Sequence, residues 1–318
     1  MNRLRVAVIG AGVMGRFHAT IYASLPHTDL VAIVDPNRSQ LEKARRTFGC
    51  AIYSRLEDMI AAVRPDAASV AAPTSAHYIL TRTLLHTGIH VLVEKPMATN
   101  VPQARELVDL SRDRGLVLQV GHITRFYQAV QLLNAQIKRP YLVEARRLTP
   151  SARIRDVGVI LDLMIHDIDI VLGIVESPIT EVMVAGHMLN GNRHEDMAAA
   201  QVHFENGCIA RLLASRIAPD AERTLVVAEP QQTLRLDFAK EPHTEIATFH
   251  PVASENGNRV QVDRRVVFEE NPLRKELEHF LARIWQSADP IGTLDHDLRS
   301  LELATLLMTK MQRQPVLG

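Results

Sequence analysis

The chain has 318 residues, 47% of them hydrophobic and 23% charged, with 36 basic side chains against 36 acidic ones. This length predicts two domains, each able to bury a core of its own, and the composition is that of a folded chain rather than a disordered one. Zero net charge gives no global pull toward nucleic acid or an acidic membrane, 4% aromatics offer no platform for stacking single strands, and two distant cysteines, Cys50 and Cys208, exclude a disulfide scaffold and any Cys-x-x-Cys site.

Unpaired thiols of this kind suit a reducing cytoplasm. No run is long and apolar enough to span a bilayer. Arg3 and Arg5 ahead of the apolar stretch 6–14 imitate a secretion leader. Arg16 and His18 follow at once, however, and no small-x-small cleavage site closes the stretch.

Short apolar runs alternate with amphipathic ones over the first 120 residues. Strands are predicted at 6–9, 30–34, 67–72, 90–94 and 117–120. Helices are predicted at 13–25, 39–48, 75–87 and from Asn100 to Gly115. Gly49 and Gly88 stand just past helix ends. Ser54 and Glu57 have capping-box spacing and predict a further helix to about Arg64. Continuous apolar strands alternating with helices predict an α/β doubly wound parallel sheet, the Rossmann arrangement, with ligands beyond the carboxyl ends of the strands.

From Phe126 the pattern changes. Helices are predicted at 126–138 and 160–175, and a strand at 142–148. Strand patterns then dominate from Thr180 to about Val267. The clearest hairpin joins 197–204 to 208–214 through Glu205-Asn206-Gly207. Two helices, 272–286 and 294–312, finish the chain. Residues 1–121 are thus expected to form the nucleotide domain. Residues 122–318 are expected to form an α+β domain on a large, mostly antiparallel sheet.

Gly10-Ala11-Gly12-Val13-Met14-Gly15 fits Gly-x-Gly-x-x-Gly between a predicted strand and helix, and Asp35 ends the next strand. That context carries the dinucleotide reading. Gly10 permits a tight turn, Gly12 lets a pyrophosphate approach the backbone, and Gly15 lets helix and strand pack closely. The helix N-terminus stabilises the anion. Asp35 can accept bonds from ribose hydroxyls and repels a 2′-phosphate, which favours NAD over NADP. Arg38 nearby is the opposing feature. The structural alternative is a packing turn with Asp35 as a loop cap.

Val91-Leu92-Val93 runs into Glu94-Lys95-Pro96 at another strand end. Pro96 biases Lys95 to an extended backbone. The chain has 30 Arg and 6 Lys, yet this position is Lys. Lysine is compact and can change its protonation, whereas arginine stays charged. A solvated charge pair is the plainer alternative.

With these residues the chain resembles the glucose–fructose oxidoreductase and inositol dehydrogenase (Gfo/Idh/MocA) family. The matching residues are the Gly10–Gly15 turn, Asp35, Ala72-Pro73-Thr74 with His77, and the run 88–96 ending in Glu94-Lys95-Pro96. The resemblance implies a cofactor site built from Gly10, Gly12, Val13, Met14, Gly15, Asp35, Pro73, Thr74, His77 and Glu94. It also implies that Lys95 contacts substrate and supports proton transfer.

Asp162 and His166 are four residues apart on a predicted, largely apolar helix, so they share a face. Polar groups in such a setting need partners or a substrate. Oxidising an alcohol removes a hydride from carbon and a proton from oxygen. A histidine can take that proton near neutral pH. A satisfied core histidine is the alternative. The resemblance implies a Lys95, Asp162 and His166 trio in which either Lys95 or His166 is the base. Asp162 would orient the ring or bind a second hydroxyl. Asp167 and Asp169 are expected to be structural.

Gly121-His122-Ile123-Thr124-Arg125-Phe126 resembles a family segment near substrate, which makes His122 and Arg125 candidate substrate contacts or, alternatively, a domain tie. The run 153–167 is similar to family members that act as UDP-N-acetylglucosamine 3-dehydrogenases. Arg153 and Arg155 would then pair with a diphosphate or carboxylate. Tyr127-Gln128 departs from the Asn-Pro of those relatives.

No His-Glu-x-x-His or Cys/His cluster has metal spacing, so no metal is expected. Together these features predict an NAD-dependent dehydrogenase acting on a secondary hydroxyl of a sugar or nucleotide sugar. Three other functions fit parts of the pattern: an inositol or free-sugar dehydrogenase, an NAD-dependent glycosidase, and a non-catalytic NAD-binding regulator. The resemblance further implies a homo-oligomer, dimer or tetramer, through an open sheet face.

Overall fold

The computed structural model describes residues 3–150, 156–189, 193–240, 242–254 and 257–312, without the side chains of 253, 254, 257 and 258. The chain forms two compact units. The first runs to Ile123 and takes in Leu273–Leu298. The second holds Thr124–Pro272 and the chain from Arg299 onward.

In the first unit the strands are β1 (Leu4–Ile9), β2 (Thr28–Val34), β3 (Ala51–Tyr53), β4 (Ala67–Val70), β5 (His90–Glu94) and β6 (Leu118–Gly121). They form one parallel sheet in the order β3-β2-β1-β4-β5-β6. The helices are α1 (Val13–Ser24), α2 (Arg38–Phe48), α3 (Leu56–Ala62), α4 (Thr74–His86) and α5 (Val101–Asp113). All four residues of β4 are buried, as a strand covered on both faces requires.

Local signals explain the helix ends. Asn37 Oδ1 accepts from the N–H groups of Ser39 and Gln40 at the start of α2. Gly49 ends that helix with φ +67°. Asn100 Oδ1 caps α5 through Gln103 N–H. The capping box expected at Ser54 and Glu57 does not form. Helix α3 starts at Leu56 with Arg55 as its cap residue and no side-chain capping bond. The short strand β3, which the sequence did not suggest, carries the chain past Tyr53 and leaves Ser54 one position too early.

Helix α8 (Pro272–Ile284) lies far along the sequence but belongs to the first unit. Its apolar face, Leu273, Leu277, Phe280 and Leu281, packs into one core with Val6, Val8, Ile21, Tyr22 and Leu92. The two units are therefore not two consecutive stretches of chain.

The second unit is built on eight strands: β7 (Leu142–Leu148), β8 (Ile179–His187), β9 (Met197–Phe204), β10 (Ile209–Ser215), β11 (Glu222–Glu229), β12 (Gln232–Asp237), β13 (His243–Ser254) and β14 (Gly257–Phe268). Their order is β14-β13-β12-β11-β7-β10-β9-β8. Among the described residues of this sheet only β7 and β10 pair in parallel. At the expected hairpin Gly207 has φ +85°, and Asn206 Oδ1 accepts from Cys208 N–H. Its register pairs Phe204 with Cys208 by a 3.0 Å backbone bond.

Helices α6 (Gln128–Gln136) and α7 (Ile165–Ile174) belong to this unit, and α9 (Leu294–Gln312) enters it from Arg299. Buried Glu269 accepts from the N–H groups of Gln128 and Ala129 at the start of α6, and from Thr244 Oγ1. Tyr127, just before α6, lies under the Arg223 guanidinium, 4.8 Å from ring centre. Alternation along the sheet leaves one face uncovered: Val267 is buried, whereas its neighbour Val266 is 63% exposed.

Candidate active site

In the first unit the glycine turn connects β1 to α1. Gly10 has φ +106°, and a Cβ there would stand 2.5 Å from Ala71 O. A Cβ on Gly15 would stand 1.7 Å from Gly10 O. These two positions require glycine for closeness of backbone to backbone. Gly12 differs: a Cβ there would meet nothing within 4 Å. The space over Gly12 is open, as a pyrophosphate on the helix N-terminus needs.

Asp35 lies at the end of β2 and faces this turn. Its Oδ2 accepts from Ala11 N–H and its Oδ1 from Asn37 N–H, both at 2.7 Å. Each carboxylate oxygen keeps a second lone pair, and the charge remains. The donor set therefore fits NAD: open backbone for the pyrophosphate and a fixed anion for ribose hydroxyls. Val13 and Met14, the first residues of α1, are exposed beside the turn.

Pro73 is the exposed cap residue of α4, and Thr74 is buried behind it. His77, one turn on, is buried with both ring nitrogens committed. Nδ1 faces Pro96 O and Nε2 faces Ala72 O, each at 2.8 Å. It ties the end of β4 to the cis Lys95–Pro96 turn after β5. Both ring nitrogens are spent on this tie.

Glu94 closes β5, and half-buried Lys95 follows. Glu94 Oε1 accepts from His18 Nε2 at 3.0 Å. Burial alone would raise this carboxyl. The His18 hydrogen bond, with His18, Lys95 and His77 close by, holds it below its ordinary 4.5. His122 is 2% exposed, with Nε2 3.8 Å from Asp297 Oδ1. It is thus a buried neighbour of Asp297.

In the second unit the expected helix 160–175 begins with a π turn, Ile160–Met164, before α7. Asp162 sits in that turn and is 8% exposed; His166 is half-buried on the first turn of α7. The wider i→i+5 turn shifts Asp162 from the simple i, i+4 placement relative to His166. Such bulges recur at functional sites.

Three ion pairs hold this segment. Arg125 donates from Nε and Nη2 to both oxygens of Asp169, at 2.9 and 2.5 Å. Arg147 makes the same fork with Asp167, at 3.1 and 2.7 Å. Arg216, buried, pairs with Asp196 at 2.7 Å and donates to Val157 O. Arg125 was a candidate substrate contact; its guanidinium is instead committed to α7. Asp167 and Asp169 are structural, as expected. Arg153 and Arg155 lie outside the described residues.

Glu195 is a further residue without a sequence signal. Its Oε1 accepts from Ile160 N–H, and its carboxylate presses on Gly158, where a Cβ would come within 2.0 Å. Glu195 therefore caps the π turn, and only glycine at 158 admits it. His18 also escaped the motif reading, although it stands one turn beyond Gly15 on the side that faces the sheet. Among the described residues no helix is long and apolar enough to cross a membrane.

Comparison with known proteins adds to this geometry. A family model described as an oxidoreductase family with an NAD-binding Rossmann fold matches residues 4–122. A model of the GFO/IDH/MocA C-terminal domain matches residues 129–235. UDP-N-acetylglucosamine 3-dehydrogenase of Acidithiobacillus ferrooxidans is 31% identical over 290 residues, which is 89% of this chain and 90% of that protein. Its crystal structure superposes with a TM-score of 0.87 at 29% identity, covering 98% of this chain and 99% of that one. The NAD-dependent scyllo-inositol 2-dehydrogenase of Bacillus subtilis is 27% identical over 237 residues, 69% of each chain.

Proposed function

Because the chain belongs to the Gfo/Idh/MocA family of NAD-binding oxidoreductases acting on sugar hydroxyls, we propose that it oxidises the 3-hydroxyl of a UDP-linked N-acetyl amino sugar. One observation carries the choice of substrate: the similarity to a UDP-N-acetylglucosamine 3-dehydrogenase runs over nine-tenths of both chains.

The open backbone at Gly12 holds the pyrophosphate, Gly10 and Gly15 hold the turn that presents it, and Asp35 holds the adenosine ribose. NAD, when bound, accepts the hydride from the alcohol carbon. The chain's own residues handle the proton. Lys95 and His166 are the two candidates for the group that removes it from the sugar hydroxyl. Asp162 orients the imidazole or holds a neighbouring hydroxyl. The open Gly12 turn, the ionised Glu94 beside Lys95 and the fork-held helix under His166 support this reading. A second reading, an inositol dehydrogenase, draws on the 27% relative.

The uncovered sheet face serves as the contact between copies of the chain. Val262 and Val266 are exposed on its β14 edge and Met183 on its β8 edge. A cytoplasmic setting fits the two free thiols.

The test is a panel of UDP-sugars, inositols and aldoses with NAD or NADP, followed at the nicotinamide absorbance. Reduction of NAD with UDP-N-acetylglucosamine, and little with inositols, is expected. Turnover on inositols alone would transfer the assignment to the second reading. Activity with NADP alone would overturn the role of Asp35.

A further inference from the structure

Helix α1 is fixed against β1 by the Gly15–Gly10 contact, and that placement delivers His18 to the carboxyl end of the sheet. The imidazole is fully buried, with 0% exposure. Its Nε2 makes one polar contact, with Glu94 Oε1 at 3.0 Å. Its Nδ1 is buried with no hydrogen-bond partner among the described residues. An imidazole so placed is costly as mere core filling, since an apolar side chain would leave no polar atom unpaired. The ring's whole polar function is therefore directed at Glu94.

Glu94 is confined on its other side too. A Cβ on Gly121 of β6 would lie 3.0 Å from Glu94 Oε2 and 3.2 Å from its Cα. The groups whose charge reaches this carboxylate are His18 of α1, Lys95 at the end of β5 and His77 of α4; Gly121 brings none. On the far side of Lys95, His77 holds Pro96 by its carbonyl. Lys95 is thus flanked by two residues, each gripped by a buried histidine.

We propose that His18 is a positioning residue for Lys95: by donating to Glu94 it fixes that side chain at the end of β5, as His77 fixes Pro96 on the other side, and so sets the backbone from which the ammonium reaches the reacting hydroxyl. This rests on the reading of Lys95 given above. Without the donor, burial dominates and Glu94 takes up a proton at higher pH.

The experiment compares wild type, His18→Leu, His18→Gln, Glu94→Gln and Lys95→Ala. The readouts are kcat/KM against pH, NAD affinity, and the 13C resonances of carboxyl-labelled glutamate, with the Glu94 signal assigned by its loss in Glu94→Gln. In His18→Leu the Glu94 titration and the acid limb of kcat/KM should both move up by about one pH unit or more. Its kcat at neutral pH should fall about tenfold, a barrier change of ~1.4 kcal/mol, while NAD affinity changes little. His18→Gln, whose amide can donate from nearly the same place, should restore both curves.

An unmoved Glu94 titration and acid limb in His18→Leu would overturn the proposal. If His18→Leu does not fold, Glu94→Gln decides: a reduced kcat with a flattened acid limb supports the proposal, and wild-type kinetics reject it. Retained turnover in Lys95→Ala would sink the Lys95 reading and with it the positioning role of His18, whereas an unmoved glutamate titration in His18→Leu would sink the His18–Glu94 link with Lys95 still catalytic.

Discussion

Asp35 in the Rossmann unit is gripped by two backbone N–H groups, and His77 by two backbone carbonyls. In the second unit the helix bearing His166 is gripped by side chains: Arg125 on Asp169, Arg147 on Asp167, and Glu195 on the turn ahead of it. The difference has physical consequences. A site held by backbone is set by where glycine allows two strands of chain to meet, and few side-chain changes reach it. A site held by buried arginine–carboxylate forks depends on every charge remaining paired, because removing one partner strands the other in a low-dielectric setting.

Breaking a fork is therefore expected to have the larger effect on stability. Asp169→Ala leaves the Arg125 guanidinium with 12% of its side chain exposed and without its carboxylate. A loss of about 3–5 kcal/mol is expected, read by denaturant unfolding. Replacing both partners, Arg125→Met with Asp169→Leu, should recover much of that loss, since buried ion pairs are often replaceable by packed apolar side chains. If the single variant cost no more than an exposed pair does, under about 1 kcal/mol, the contrast between the units would collapse.

Gly15→Ala probes the backbone-held region. The added Cβ meets a carbonyl rather than a flexible side chain, so the turn and helix must move apart. A smaller loss of stability, about 1–3 kcal/mol, is expected from overpacking, together with loss of NAD binding. Gly12→Ala, at the open position, should keep stability and weaken NAD binding alone. Equal effects from the two variants would contradict the assignment of Gly12 to the pyrophosphate.

The same contrast explains what could be read from the sequence. The parallel sheet was legible because its strands are buried on both faces and bounded by caps: Asn37, Gly49 and Asn100 each act where their chemistry indicates. The glycine turn and Asp35 were legible because their spacing is local. The π turn at Ile160–Met164 was not, since periodicity cannot separate it from an α turn. The return of α8 to the first unit was not, since an amphipathic face does not say which core it enters. The fork of Arg125 on Asp169 was not legible, and Arg125 reads from sequence as either a substrate contact or a domain tie, because its partner lies 44 residues away and no local spacing links them. His18 was overlooked for the same reason: Glu94 is 76 residues distant.

The most direct test of the catalytic account is turnover of UDP-N-acetylglucosamine by Lys95→Ala and His166→Ala, with NAD binding measured alongside. Each variant should bind NAD as wild type does and lose about 10²–10⁴-fold in kcat, the range of a proton-transfer group. Near-normal turnover in both, with intact folding, would contradict the account.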